Sequence, residues 1–352
     1  MRKERNKSKN KKIEEESLVV VPLLFTLALA FGAFIVTLFS TPFLVKSALH
    51  KGIVGRDVNK PHRPVVAEMG GLAVFLGVAC ALSLFVLVVT FQDKDSHSLA
   101  LALAALASIA IIALVGVFDD LFKLSWRTKL VTPMLASLPL VAITAGNTTM
   151  SLPFFGAVNL GWFYTFVLIP LGVTGAANAV NMVAGYNGVE AGIGVVVTAF
   201  LLVIAVQTQN WVAAAILASC FGACLAFLLF NWNPAKIFPG DVGTLVIGAC
   251  IAASVIIGNM EKYGVVLFAP AFFELASTIF YGAQGIKRRV LCHNPQIDER
   301  GRLSPPRGTE HYTLFYWILS KKPMKETTLV LTVLALYAAC GFAALALYYY
   351  KI

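Results

Sequence analysis

Charge is what this sequence has least of. Asp, Glu, Lys and Arg make up 13% of the 352 residues, against 58% hydrophobic residues and a mean hydropathy of +0.79. A soluble domain keeps about a quarter of its residues charged, so this scarcity excludes a soluble globular protein. The six cysteines (Cys80, Cys220, Cys224, Cys250, Cys292, Cys340) fall mostly inside apolar runs and show no paired ligand spacing. That excludes a disulfide framework and argues against a zinc site. Cys220 and Cys224 share one helix face, which packing explains. No internal repeat is visible. The first apolar run is too long, and lacks the small-residue cleavage site, to be a removed signal peptide.

What the chain has instead is apolar runs near 20 residues, the length that crosses a hydrocarbon core about 30 Å thick. Ten are visible, at 18–49, 70–91, 99–117, 130–145, 160–177, 191–206, 211–229, 245–257, 263–285 and 327–350. Each is expected to be helical, because an unpaired backbone amide cannot be left in lipid. The expected fold class is all-α: a polytopic integral membrane protein with about ten transmembrane helices. A hydrophilic tail, residues 1–17, reads as disordered, and residues 18–352 as a single transmembrane catalytic domain. Ten spans place the connections 51–69, 118–129, 178–190, 231–243 and 286–325 on one side. Those connections hold most of the Lys and Arg, whereas the opposite ones hold only Lys94 and Lys262. By the positive-inside rule the polar connections face the cytoplasm. The basic tail argues the other way, since an even span count puts it outside.

Four polar stretches interrupt this apolar background. Asp119 and Asp120 end the third run and are followed by Lys123, Arg127 and Lys129. Two adjacent acids ionise together only if cations or a metal neutralise them, which suits a base beside an electrostatic partner; a solvated helix end pairing with the nearby cations reads equally well. Next, Asn178 and Asn181 sit three apart, on one helical face, with Gly185, Asn187, Gly188 and Glu190 following. Such glycines let backbone approach a ligand closely, or they serve a tight turn. In the third stretch Asp241 stands just before an apolar helix, where it could simply cap it. With Asn181, Asp119 and Asp120 it makes an all-oxygen set suited to Mg²⁺ or Mn²⁺ rather than zinc. Phe238 beside them reads either as a stacking partner for a nucleobase or as an interfacial aromatic. The fourth stretch, Lys287, Arg288, Arg289, Cys292, His293, Asn294, Arg300, Arg302, Arg307 and His311, offers pyrophosphate donors, though a basic cytoplasmic loop needs no site to explain it.

At FDDLFKLSWRTKL (118–130), NAVNMVAGYNGVEAG (178–192) and FNWNPAKIFPGDVG (230–243) the chain resembles the polyprenyl-phosphate N-acetylhexosamine-1-phosphate transferase superfamily. The likeness covers 55–285 and is strongest to the archaeal and eukaryotic branch that makes dolichyl-pyrophosphate-GlcNAc for protein N-glycosylation. The resemblance implies transfer of GlcNAc 1-phosphate from UDP-GlcNAc to a polyprenyl phosphate at the cytoplasmic leaflet, with release of UMP. It further implies that Asn181 and Asp241 hold Mg²⁺ (Mn²⁺ as an alternative) and that Lys129 contacts phosphate. Gly185, Asn187 and Phe238 would hold the uracil, with Glu68, Lys123 and Asn178 also lining the substrate pocket, and Asp119 would be the base beside Asp120. His293 would keep a catalytic role, although eukaryotic relatives carry Arg-His-Arg where this chain reads Cys292-His293-Asn294, and Asn where it has Lys123. Expected partners are the two substrates and membrane lipids, with a homodimer left open and no nucleic acid. The membrane would be the plasma membrane in a prokaryote and the endoplasmic reticulum in a eukaryote. A cell-wall transferase using undecaprenyl phosphate is the alternative enzyme. A transporter is the alternative of another class, but its ionisable groups would lie near mid-span.

Overall fold

The computed structural model describes residues 2–152, 156–286, 294–306, 308 and 313–350. The first helix, α1, spans Arg2–Lys51, with its membrane-length apolar part starting at Pro22. Where the composition suggests a disordered tail, the helix runs back to Arg2. Lys, Arg and Glu are good helix formers, and lengthening an existing helix avoids the nucleation cost.

A small hairpin follows, β1 (Val54–Arg56) with β2 (Val65–Ala67), paired antiparallel in the register Gly55↔Val66. Then come α2 (Gly71–Val88), prolonged by a π-helical turn at Val89–Asp93, and α3 (Ser96–Phe122). Two short helices, α4 (Trp126–Ala136) and α5 (Leu138–Ala142), lead to a second hairpin, β3 (Thr149–Leu152) with β4 (Gly156–Asn159). One continuous helical run, Gly161–Met182, comprises α6 (Gly161–Phe163), a π-helical segment and α7 (Ile169–Met182). Three long helices follow: α8 (Val189–Gln207), α9 (Trp211–Asn231) and α10 (Gly240–Gly258). The chain closes with α11 (Glu261–Leu267), α12 (Ala269–Ala283), a three-stranded sheet of β5 (Gln296–Ile297), β6 (Arg302–Ser304) and β7 (Met324–Lys325), α13 (Leu314–Lys321) and α14 (Glu326–Tyr349).

Among the described residues eight helices are long and apolar enough to cross a membrane, or nine if α11 and α12, bent by 67° at their junction, count as one span. The expected tenth, at 130–145, is the helix pair α4 and α5. Pro139 in the first turn of α5 has no N–H to continue the ladder from α4, so neither piece reaches span length. The pair still carries the chain between the two ends of the bundle. Lys129 lies against Asp119 at one end, while Thr144 and Gly146 line a cavity at the other with His97, Asn210 and Asn259.

The most enclosed span is α10, packed among α3, α7, α9 and α2. Two glycines make that packing close. A Cβ at Gly71 would collide with the Gly243 backbone, and one at Gly116 with the backbone of Val242. Small residues let helix backbones touch where lipid supplies no hydrophobic drive. Both contacts fall on the first turns of α10, so α2 and α3 are pressed against the point where Asp241 emerges. Large apolar side chains such as Phe31, Phe39, Leu114 and Phe166 point outward, as a bundle bathed in lipid requires.

Candidate active site

Helix α10 opens with Pro239 at its N-cap, and no side chain of its own caps it. A helix start leaves amide donors unsatisfied, and here the missing acceptor arrives from α3. Asp120 takes the Asp241 N–H on Oδ1 at 2.8 Å and the Val242 N–H on Oδ2 at 3.1 Å. Asp120 is therefore the cap of α10, contributed by a different helix. The Asp241 side chain, which its sequence position alone would offer as a cap, is left for other partners.

Those partners build the centre of the site. Asn181, in the last turn of α7, donates Nδ2 to Asp241 Oδ1 at 2.7 Å. Lys129, on α4, donates Nζ to Asp241 Oδ2 at 3.1 Å and sits 2.6 Å from Asp119 Oδ2. Asp119 Oδ1 accepts the Leu124 N–H at 3.0 Å, while Oδ2 pairs with the Lys129 ammonium and the carboxyl also lies against that of Asp241. The Asp119 side chain is 1% exposed, Asp241 22% and Lys129 35%, so solvent enters past Lys129 and Asp241. Burial alone would push the Lys129 ammonium down; the hydrogen bond to Asp119 and the Asp241 charge outweigh it and hold Lys129 above its ordinary value. It stays protonated at neutral pH and bridges two carboxylates that would otherwise repel.

Around this centre, backbone ties join distant segments. Phe238 N–H donates to Ala67 O at 2.8 Å, Gly70 N–H to Phe238 O at 2.9 Å and Gly71 N–H to Pro239 O at 2.8 Å. Phe238 is thus tied by its backbone to Ala67 and Gly70, which flank Glu68, while the Glu68 N–H goes to Ile53 O at 3.1 Å. Glu68 is half-buried against Gly55. Gly185 adopts φ +128°, backbone that glycine favours, and is exposed.

Other expected residues stand apart from the acid centre. Asn178 gives its amide to Thr174 O, one turn back in its own helix, at 2.9 Å. Lys123 is exposed and closes α3 in the left-handed conformation, φ +53°. Asn187 is buried, with its amide donated to Asp57 Oδ2 at 2.8 Å. Arg302 is paired with Asp298 at 2.6 Å on the β5–β6 turn. His293, with Cys292, Arg288, Arg289, Arg307 and His311, lies outside the described residues. Sequence reasoning missed Asp57, Asn59, Lys60, Asn231 and Glu326, which join the connections to one another. Their signals were Glu326, a lone acid opening the last apolar run, and the place of Asn231 inside the 230–243 motif.

The donor set bears on a metal. Among the described residues no three His, Cys, Asp or Glu side chains converge as a cage. Asn181 and Asp241 stand side by side with the Asn181 amide nitrogen on Asp241 Oδ1; turning that amide over brings its oxygen beside the carboxylate, and Mg²⁺ is usually held by one or two such oxygen ligands, with waters and substrate phosphates filling the rest. These residues fit such an ion.

Together these features define a class: a polytopic membrane protein with a site of carboxylate, amide and ammonium groups gathered at one end of its helix bundle. Residues 102–259 match the profile of glycosyl transferase family 4. Among curated relatives, a protein of Saccharolobus solfataricus is 32% identical over 77% of this chain and 81% of its own length. It carries the provisional name UDP-N-acetylglucosamine–dolichyl-phosphate N-acetylglucosaminephosphotransferase. A Schizosaccharomyces pombe protein with the same name, unqualified, is 27% identical over 88% of this chain and 77% of its own. A phospho-N-acetylmuramoyl-pentapeptide-transferase of Streptococcus pyogenes is 34% identical over 66% of this chain and 72% of its own. The chain belongs to glycosyl transferase family 4.

Proposed function

We propose that this protein transfers GlcNAc 1-phosphate from UDP-GlcNAc to a polyprenyl phosphate of the dolichyl type, an early step of protein N-glycosylation. The observation that carries this reading is the Lys129 bridge between Asp119 and Asp241, set at the end of a bundle whose relatives are named for this chemistry. The lipid phosphate oxygen forms a bond to the β-phosphorus of the donor. The bond from that phosphorus to the bridging oxygen breaks, and UMP leaves with the oxygen.

Two phosphorylated substrates must meet beside two aspartates, so charge neutralisation and alignment dominate the barrier. Lys129 supplies a fixed positive charge where the phosphates gather. Asp119, whose buried Oδ2 is paired with Lys129, is the group to accept a proton from the lipid phosphate as the incoming phosphate draws that ammonium away. Asp120 keeps α10, and with it Asp241, in place. Mg²⁺ held by Asn181 and Asp241 would supply Lewis-acid neutralisation of the diphosphate, with Mn²⁺ an alternative in the same oxygen set. The Lys- and Arg-rich connections support a cytoplasmic face for this end of the bundle.

The Streptococcus relative, named for phospho-N-acetylmuramoyl-pentapeptide transfer, and a Bacillus subtilis relative named as a probable undecaprenyl-phosphate N-acetylglucosaminyl 1-phosphate transferase support a second reading, a bacterial-type transfer to undecaprenyl phosphate from UDP-MurNAc-pentapeptide or UDP-GlcNAc. The test is UMP release by purified protein given Mg²⁺ and dolichyl phosphate, with UDP-GlcNAc, UDP-GalNAc and UDP-MurNAc-pentapeptide in parallel, repeated with undecaprenyl phosphate. Turnover with UDP-GlcNAc and dolichyl phosphate is expected. Turnover only with the pentapeptide donor would establish the second reading, and silence with every pair would overturn both.

A further inference from the structure

The connection 183–188 between α7 and α8 is short, glycine-rich and bonded at most of its backbone N–H groups. Gly185 donates its N–H to Glu190 Oε1 at 3.0 Å and accepts from Asn59 Nδ2 at 2.7 Å on its carbonyl. Asn187 donates its N–H to Glu326 Oε1 at 2.8 Å and its amide to Asp57 Oδ2 at 2.8 Å. Gly188 donates to Asn231 Oδ1 at 3.1 Å, and Tyr186 stacks on Phe315 with ring centroids 4.5 Å apart.

Two of these partners, Asp57 and Glu326, form a charged cluster with Lys60. Lys60 lies 3.2 Å from Asp57 Oδ2 and contacts Glu326 Oε2. Asp57 and Glu326 are 3% and 4% exposed, so two buried acids flank one ammonium. A buried carboxylate is costly unless paired and hydrogen-bonded. Both acids bond the Lys60 cation and an N–H of Asn187, and Asp57 also accepts the Asn59 N–H on Oδ1 at 3.1 Å. Lys60 thus makes it tolerable to keep two acids where they grip both donors of Asn187. Glu326 opens α14, far along the chain from the loop, and Asp57 and Lys60 come from the connection after α1. None touches Asp119, Asp241 or Asn181.

We propose that Glu326, with Lys60 and Asp57, is a positioning device that sets the shape of the 183–188 connection, and that this shape governs affinity for the uridine nucleotide. The second half rests on the function proposed above; the first does not. An exposed Gly185 held on both sides by fixed partners presents a rigid backbone edge. Rigid edges bind because the ordering cost is already met in the free protein.

The test measures two things on the full chain in detergent: hydrogen exchange over 183–190, and UDP binding by calorimetry. Glu326→Ala should raise exchange at Asn187 and weaken UDP on the order of tenfold, the effect of losing one buried partner, with KM for the donor rising more than kcat falls. Glu326→Gln keeps an oxygen for the Asn187 N–H and should recover most of the protection. A merely structural role would lower Tm without separating KM from kcat. Unchanged exchange and affinity in Glu326→Ala would overturn the proposal. If that variant does not fold, Lys60→Met decides by the same two readouts, with a smaller loss expected and no change counting against the device. Raised exchange in a protein whose wild type binds no UDP would uphold the positioning role and overturn the nucleotide assignment.

Discussion

Two neighbouring aspartates do different work because their side chains leave α3 in different directions. Asp120 caps α10 with both oxygens, while Asp119 turns to Lys129. Asp120→Ala should therefore destabilise the protein by about 1–3 kcal/mol, the range for a lost cap and buried acceptor, seen as a lower Tm in detergent. Asp119→Asn should leave Tm nearly unchanged and reduce turnover about 10²- to 10⁴-fold, the usual effect of a general base. A normal rate in Asp119→Asn with a dead Asp120→Asn would reverse these roles. Asp241→Ala should abolish the response of turnover to added Mg²⁺, read as rate against metal concentration; a retained response would place the metal elsewhere. The sequence showed that these acids matter, since ionisable groups beside hydrocarbon are costly. It could not show which acid does what, because Asp120 bonds to residues over a hundred positions away.

At the scale of elements, the site depends on how closely α2 and α3 approach α10. Gly71→Ala would place a methyl against the Gly243 backbone, where there is no side chain to move aside. Overpacking of this kind costs about 1–3 kcal/mol. We expect a lower Tm together with a lower kcat, because the displaced turn carries Asp241. Gly32→Ala on α1, with nothing within 4 Å of the new Cβ, should leave both unchanged; equal damage from the two substitutions would refute close packing as the cause. Apolar length located most of these helices at once. It misjudged 130–145, where Pro139 divides α4 from α5, and the tail, where helix-forming side chains extend α1 to Arg2.

For the molecule as a whole, the prediction is one of sidedness. His62 lies in the connection after α1, at the end that carries Asp119 and Asp241, and Asp93 lies at the opposite end; both are exposed. A membrane-impermeant maleimide applied to intact cells should label an Asp93→Cys variant and spare His62→Cys. Inverted vesicles should give the opposite pattern. Labelling of both from one side would refute the placement of the two ends across a bilayer.

The sequence by itself determined the solvent and most of the long helices, because backbone amides in hydrocarbon have no alternative to helix. It also determined which polar residues could carry chemistry, because so few interrupt the apolar runs, and their motifs matched a known family. Only the tertiary structure decided the pairing: Asp120 with the start of α10, Lys129 between two acids, and Glu326 with Asn187. Each of those bonds joins segments whose separation along the chain carries no information about distance in space, and helix packing alone brings them within reach.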